Sequence, residues 1–113
     1  MNTKSKPTPA EELKAKTVEL ADIFTRTRNR EELFLLLEGL LTPAEIEGIF
    51  LRWQLLKLLA DGMTQREIMK QLGICLGKIS RGSRLLKYGD PRFGELLERI
   101  RNERKESQRK PKK

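Results

Sequence analysis

TQREIMKQLGICLGKISRGSRLLK, residues 64–87, decides how the rest of the chain is read. Thr64 followed by Glu67 has the capping-box spacing, which satisfies N–H donors that a helix start leaves unpaired, so a first helix begins at Gln65. Ile68 and Leu72 lie four residues apart and give that helix an apolar stripe. Gly73 follows the last apolar position, where a left-handed residue closes a helix, and Ile74 can turn back into a core. A second helix is predicted over residues 76–86, with Ile79 and Leu86 facing inward. Its outward positions are Gly77, Lys78, Ser80, Arg81, Arg84 and Lys87. Small, hydroxylic and basic residues suit a helix that lies against phosphates and base edges.

A helical hairpin with a merely solvated face would give the same pattern of helices. Charge sign separates the two readings. From Thr64 to Asp90 six basic residues stand against two acidic ones, net +4. A solvated face mixes its signs. The stretch is therefore expected to be a helix-turn-helix that binds duplex DNA.

The surrounding composition agrees. The 113 residues carry a net charge of +8 and a sequence pI near 9.9, which favours an anionic partner, nucleic acid before membrane or acidic protein. The charge is distributed in blocks: residues 31–63 carry −4, whereas residues 1–30 carry +3 and residues 99–113 carry +6. The start, MNTKSKPTPAEEL, lacks the apolar core of a signal peptide, and the longest apolar run, Leu33–Leu37, is too short for a membrane span. A cytoplasmic protein with no membrane partner is expected. With one cysteine, Cys75, and no histidine, intramolecular disulfides, Cys/His zinc sites and histidine-based catalysis are excluded. Cys75 is read as a small packed side chain. No carboxylate pair stands in an apolar setting that would tune a pKa, and no Gly-rich phosphate loop occurs. No enzyme, metal or resident cofactor is expected.

Residues 1–9 read as a flexible N-terminal arm, 10–100 as one all-α domain with the helix-turn-helix at about 64–87, and 101–113 as a basic disordered tail. A first helix follows Pro9, with Glu11 and Glu12 near its start and Leu13, Leu20, Ala21 and Phe24 on its apolar side. Asn29 caps a second helix, EELFLLLEGLL, which is apolar nearly all round. Such a helix must be covered on most sides. In so short a chain, burial between two subunits is the economical solution and predicts an obligate, interleaved dimer; a central helix in a monomeric bundle is the alternative. Thr42-Pro43 opens a third helix to Asp61, with Ile46, Ile49, Phe50, Trp53, Leu56 and Leu59 or Ala60 at helical spacing. Arg52 lies beside that stripe, where its cation could fold over a bound ring or snorkel to water. A last helix runs from Pro91 to Ile100.

LLTPAEIE, then GMTQREIMKQLG and KISRGSRLLK, resemble the Trp repressor family of bacterial regulators over roughly residues 33–97. The resemblance implies an all-α fold of about six helices in an intertwined homodimer, with a reader helix in the major groove. It also implies L-tryptophan as corepressor, its indole between Arg52 and Arg81, and its carboxylate on Arg81. Gly82 would leave room for the ring, and carbonyls near Leu41 and Thr42 of the other subunit would receive the ammonium. Gln65, Arg66, Ser80 and Lys87 match positions near phosphates or bases, and Leu76, Gly77 and Lys78 begin the reader helix; Arg84, on its outward face, is expected at DNA from its charge and position alone. The implied function is an L-tryptophan-dependent repressor of transcription. Leu85 stands where the familiar repressors carry a serine, and Met69 where a basic residue is usual. These departures keep open a related regulator without a small-molecule corepressor. A basic helical adaptor for RNA or an acidic protein is the reading from another class.

Overall fold

The structure is a computed structural model that describes residues 6–109. It contains six α-helices: α1 Pro9–Thr25, α2 Arg30–Leu40, α3 Pro43–Ala60, α4 Gln65–Leu72, α5 Leu76–Tyr88 and α6 Pro91–Arg109. No strand occurs among the described residues. The all-α reading with about six helices holds.

Helix starts follow local chemistry. The motif Thr-x-x-Glu closes a reciprocal cap three times. At α1 the Glu11 N–H donates to Thr8 Oγ1 at 3.1 Å, and the Thr8 N–H donates to the Glu11 carboxylate at 2.9 Å. Thr42 and Glu45 repeat this before α3, and Thr64 and Glu67 before α4. Asn29 caps α2 by accepting the Glu32 N–H at 2.9 Å. Asp90 opens α6 by accepting the Arg92 N–H, and the Arg92 side chain folds back on the same carboxylate at 2.6 Å.

The chain forms two compact units, one up to Ile46 and one from Glu47 onward. In the first, α1 and α2 bury no residue. Phe34 is 57 % and Leu35 64 % exposed, so the apolar α2 is not covered within this unit.

The second unit has a real core. Ile68 of α4 and Ile79 of α5 are fully buried with Leu55 of α3, and Leu58, Leu59, Met63, Leu72 and Ile74 pack round them. Leu97 of α6 is buried as well. The stripe predicted for α3 is only partly the buried one: Leu55 and Leu56 go inside, while Ile46, Ile49 and Phe50 stay exposed. This helix carries apolar residues on every side, so its periodicity cannot choose the face that its own chain covers.

Two boundaries move. The reader helix runs two residues past the predicted end, to Tyr88. The last helix does not stop at Ile100 but continues through Arg109. Arg101 explains the extension: its guanidinium forks onto Asp61 at 3.0 and 3.2 Å, tying α6 to the end of α3, and it also meets Glu98. Nine residues of the expected basic tail are therefore helical; its last four residues, like the first five of the N-terminal arm, lie outside the described residues.

Candidate nucleic-acid interface and ligand cavity

The α4–α5 unit is built as its sequence predicts. Its capping box holds the Glu67 carboxyl below the usual carboxylate range, first through the backbone N–H of Thr64 and then through the Thr64 hydroxyl. Gly73 closes α4 in the left-handed region at φ +66°, where a Cβ would be strained, and its N–H donates to the Met69 carbonyl. Ile68 and Ile79 then lock the two helices together from the inside.

What faces out is basic. Arg66, Lys70, Lys78, Arg84 and Lys87 are exposed, and none forms an ion pair among the described residues. Gln65 and Arg66 open α4, while Leu76, Gly77 and Lys78 form the exposed first turn of α5. Ser80 is only half exposed. This surface offers unpaired cations to phosphates and small side chains for close approach.

Cys75 departs from expectation. Instead of packing inside, it is exposed and stands at the N-cap of α5 without a side-chain capping bond. The backbone N–H of Lys78, close to the thiol although short of a formed capping bond, is the main cause that holds it below the ordinary value.

Behind the reader helix lies a cavity of about 190 Å³ between α3 and α5. Gly48, Leu51, Arg52, Leu55 and Leu56 line it from α3; Lys78, Arg81, Gly82 and Leu85 line it from α5, with Ile74 at the turn. Arg52, Arg81 and Gly82, which the resemblance assigns to a ligand, thus come together on one cavity. Leu41 and Thr42 belong to the other compact unit. Lys78, read from the sequence as a DNA contact, lines the cavity too. Its position one turn before Arg81 and Gly82 on α5 was the available signal.

Gly82 has two roles in this geometry. It borders the cavity, and a Cβ there would meet Leu59 Cδ1 at 3.2 Å and Leu55 Cδ2 at 3.3 Å. The glycine lets α5 sit close on α3. Polar side chains on the cavity wall are all cationic, so the site suits an apolar body carrying an anionic group.

The Trp repressor protein family profile matches residues 15–101. The chain belongs to the Trp repressor family. It is 41 % identical over 61 residues to a Trp operon repressor homolog of Chlamydia caviae, an alignment covering 53 % of this chain and 60 % of that protein. The chain thus spans about three fifths of that relative's length. It is 29 % identical over 83 residues to the protein YerC of Bacillus subtilis, covering 74 % of this chain and 80 % of YerC. A crystal structure of a putative Trp repressor from Staphylococcus aureus superposes with a TM-score of 0.69 at 30 % identity, covering 84 % of this chain and 96 % of that one. The α4–α5 helix-turn-helix lies within the matched residues. No helix among its described residues is long and apolar enough to cross a membrane.

Proposed function

We propose that this chain is a sequence-specific, DNA-binding transcriptional repressor that acts as a homodimer in the cytoplasm and takes L-tryptophan as corepressor. One observation supports the ligand above all: the cavity wall is shared between Arg52 on α3 and the Arg81-Gly82 pair on the reader helix. A ligand there touches the element that meets DNA, so its binding energy can favour one placement of α5. In this reading the indole lies between the two arginines, and Arg81 takes the carboxylate. Carbonyls near Leu41 and Thr42 of a second copy take the ammonium. Without ligand, salt-sensitive contacts to phosphate remain.

The homodimer reading draws on α2, where Phe34, Leu35 and Leu40 are each more than half exposed in one chain. A second copy would cover them.

Leu85 favours a second reading. It lines the cavity and offers no polar atom, so a family member that represses without a small molecule fits this wall as well. Calorimetric titration of L-tryptophan into the purified protein decides between them. Saturable heat at one site per subunit, abolished in Arg81→Ala, is the expected result. An Arg81→Ala variant that binds as tightly as the parent refutes the assignment, and absence of heat in the parent leaves the ligand-independent regulator.

A further inference from the structure

A second cavity, of about 170 Å³, lies between α3 and α6 and is lined by Trp53, Lys57, Arg101, Arg104, Lys105 and Gln108. It is separate from the reader-side cavity. At ~100° per residue, Trp53 and Lys57 lie about 150° round α3 from the residues that line the other one. The two sites occupy opposite faces of the same helix.

The charges on α6 are sorted. Arg101, Arg104, Lys105 and Gln108 follow one another at helical spacing on the cleft face, whereas Arg99, Glu103 and Glu106 lie on the opposite face. Arg99 and Glu103 pair there at 3.0 Å. Within the cleft no aspartate or glutamate lines the wall. Arg101 is only 13 % exposed and is fixed in place by Asp61 and Glu98, which offset its charge. Lys57, Arg104 and Lys105 have no carboxylate partner among the described residues, and the Lys57 ammonium rests over the Trp53 ring at 5.9 Å from its centre. A merely solvated face would interleave acids with these bases. Among the described residues, three of the four cations round the Trp53 floor, Lys57, Arg104 and Lys105, are left without a counter-charge for an anion to supply.

We propose that the α3/α6 cleft is a binding site for a small phosphate-bearing anion. Arg104, Lys105 and Lys57 supply the donors to its phosphate oxygens and the uncompensated positive charge, Arg101 ties the wall of the cleft to Asp61, and Trp53 forms the floor. Guanidinium forks match phosphate geometry, and the lysines add mobile point charges. The position of the cleft away from the reader-side face favours a free ligand over the backbone of bound DNA.

Trp53 is the sole tryptophan of the chain, so its fluorescence reports this cleft alone. The test titrates pyrophosphate into the full-length protein, with sodium chloride at matched ionic strength as control. The expected result is a saturable change in Trp53 emission as Lys57 leaves the ring. In Arg104→Gln/Lys105→Gln the midpoint should weaken at least about tenfold, as expected for two lost charge-assisted contacts. Both substituted side chains are exposed, and an unchanged circular-dichroism melt checks the fold of the variant. Chloride matching pyrophosphate, or a double variant titrating like the parent, overturns the site. A random-sequence duplex that produces the same change, competes with pyrophosphate and loses its effect in the double variant overturns the small ligand and assigns the cleft to backbone phosphate.

Discussion

The α2 helix and the α4–α5 pair carry comparable amounts of apolar side chain and treat it in opposite ways. In α4–α5 two isoleucines vanish completely from solvent, held by a capping box, a left-handed glycine and the underside of α3. In α2 no residue is buried, although seven of the eleven residues between Arg30 and Leu40, and Leu41 beyond them, are leucine, phenylalanine or glycine. The difference separates a module whose core lies within its own chain from a helix that needs another surface. Burial of a Leu or Phe side chain is worth roughly 1.5–3 kcal/mol, so α2 leaves several such contributions unclaimed in a single chain.

The contrast breaks first at α2. Phe34→Glu with Leu35→Glu is expected to turn a dimer into a monomer with loss of most thermal stability, measured by sedimentation and circular dichroism. A parent protein that already sediments as a folded monomer, or a double variant that stays dimeric, ends the contrast. Next comes Ile79→Ala, which removes a fully buried side chain and should cost about 2–5 kcal/mol in urea unfolding. A loss below ~1 kcal/mol would mean that the reader core is looser than its burial implies. Gly73→Ala forces a Cβ into the left-handed turn and should cost about 1–2 kcal/mol, with hydrogen exchange faster in α4. The smallest effect is at acid pH. Asp90 is held down to about 2, against 3.8, by hydrogen bonds from the Arg92 side chain and then its backbone N–H. Because that value is lowered by folding, the contribution is complete above pH ~4 and fades as pH falls toward 2. Carbon-13 titration of the Asp90 carboxyl should show the low midpoint, and an ordinary midpoint would mean that the cap is not formed.

Much of the fold was legible wherever a short motif carries its own physics. Thr64 with Glu67, Gly73 after Leu72 and Pro43 after Thr42 each place a helix end without reference to distant residues. The same Thr-x-x-Glu signal was present at Thr8 and Thr42 and could have been used there too. What the sequence concealed depends on long-range partners. Arg101 looks like the first residue of a charged tail until Asp61, forty positions earlier, is found within reach. The face of α3 that its own chain covers was equally hidden, because leucines and isoleucines surround the helix. At the candidate site, Arg52, Arg81 and Gly82 were recognisable by resemblance, and their convergence on one cavity is a property of the α3–α5 crossing. Lys78 was assigned to DNA alone because a reader-helix position says nothing about what lies behind the helix.

One wall of the α3/α5 cavity is the reader helix itself, with Lys78, Arg81, Gly82 and Leu85 all supplied by α5. If an occupant of the cavity alters how a duplex binds α5, the duplex alters how the occupant binds by the same factor. If the occupant tightens DNA binding about tenfold, DNA holds the occupant about tenfold more tightly in return. Operator sites would act as a sink that retains ligand on bound protein, so release from DNA would lag behind a fall in free ligand.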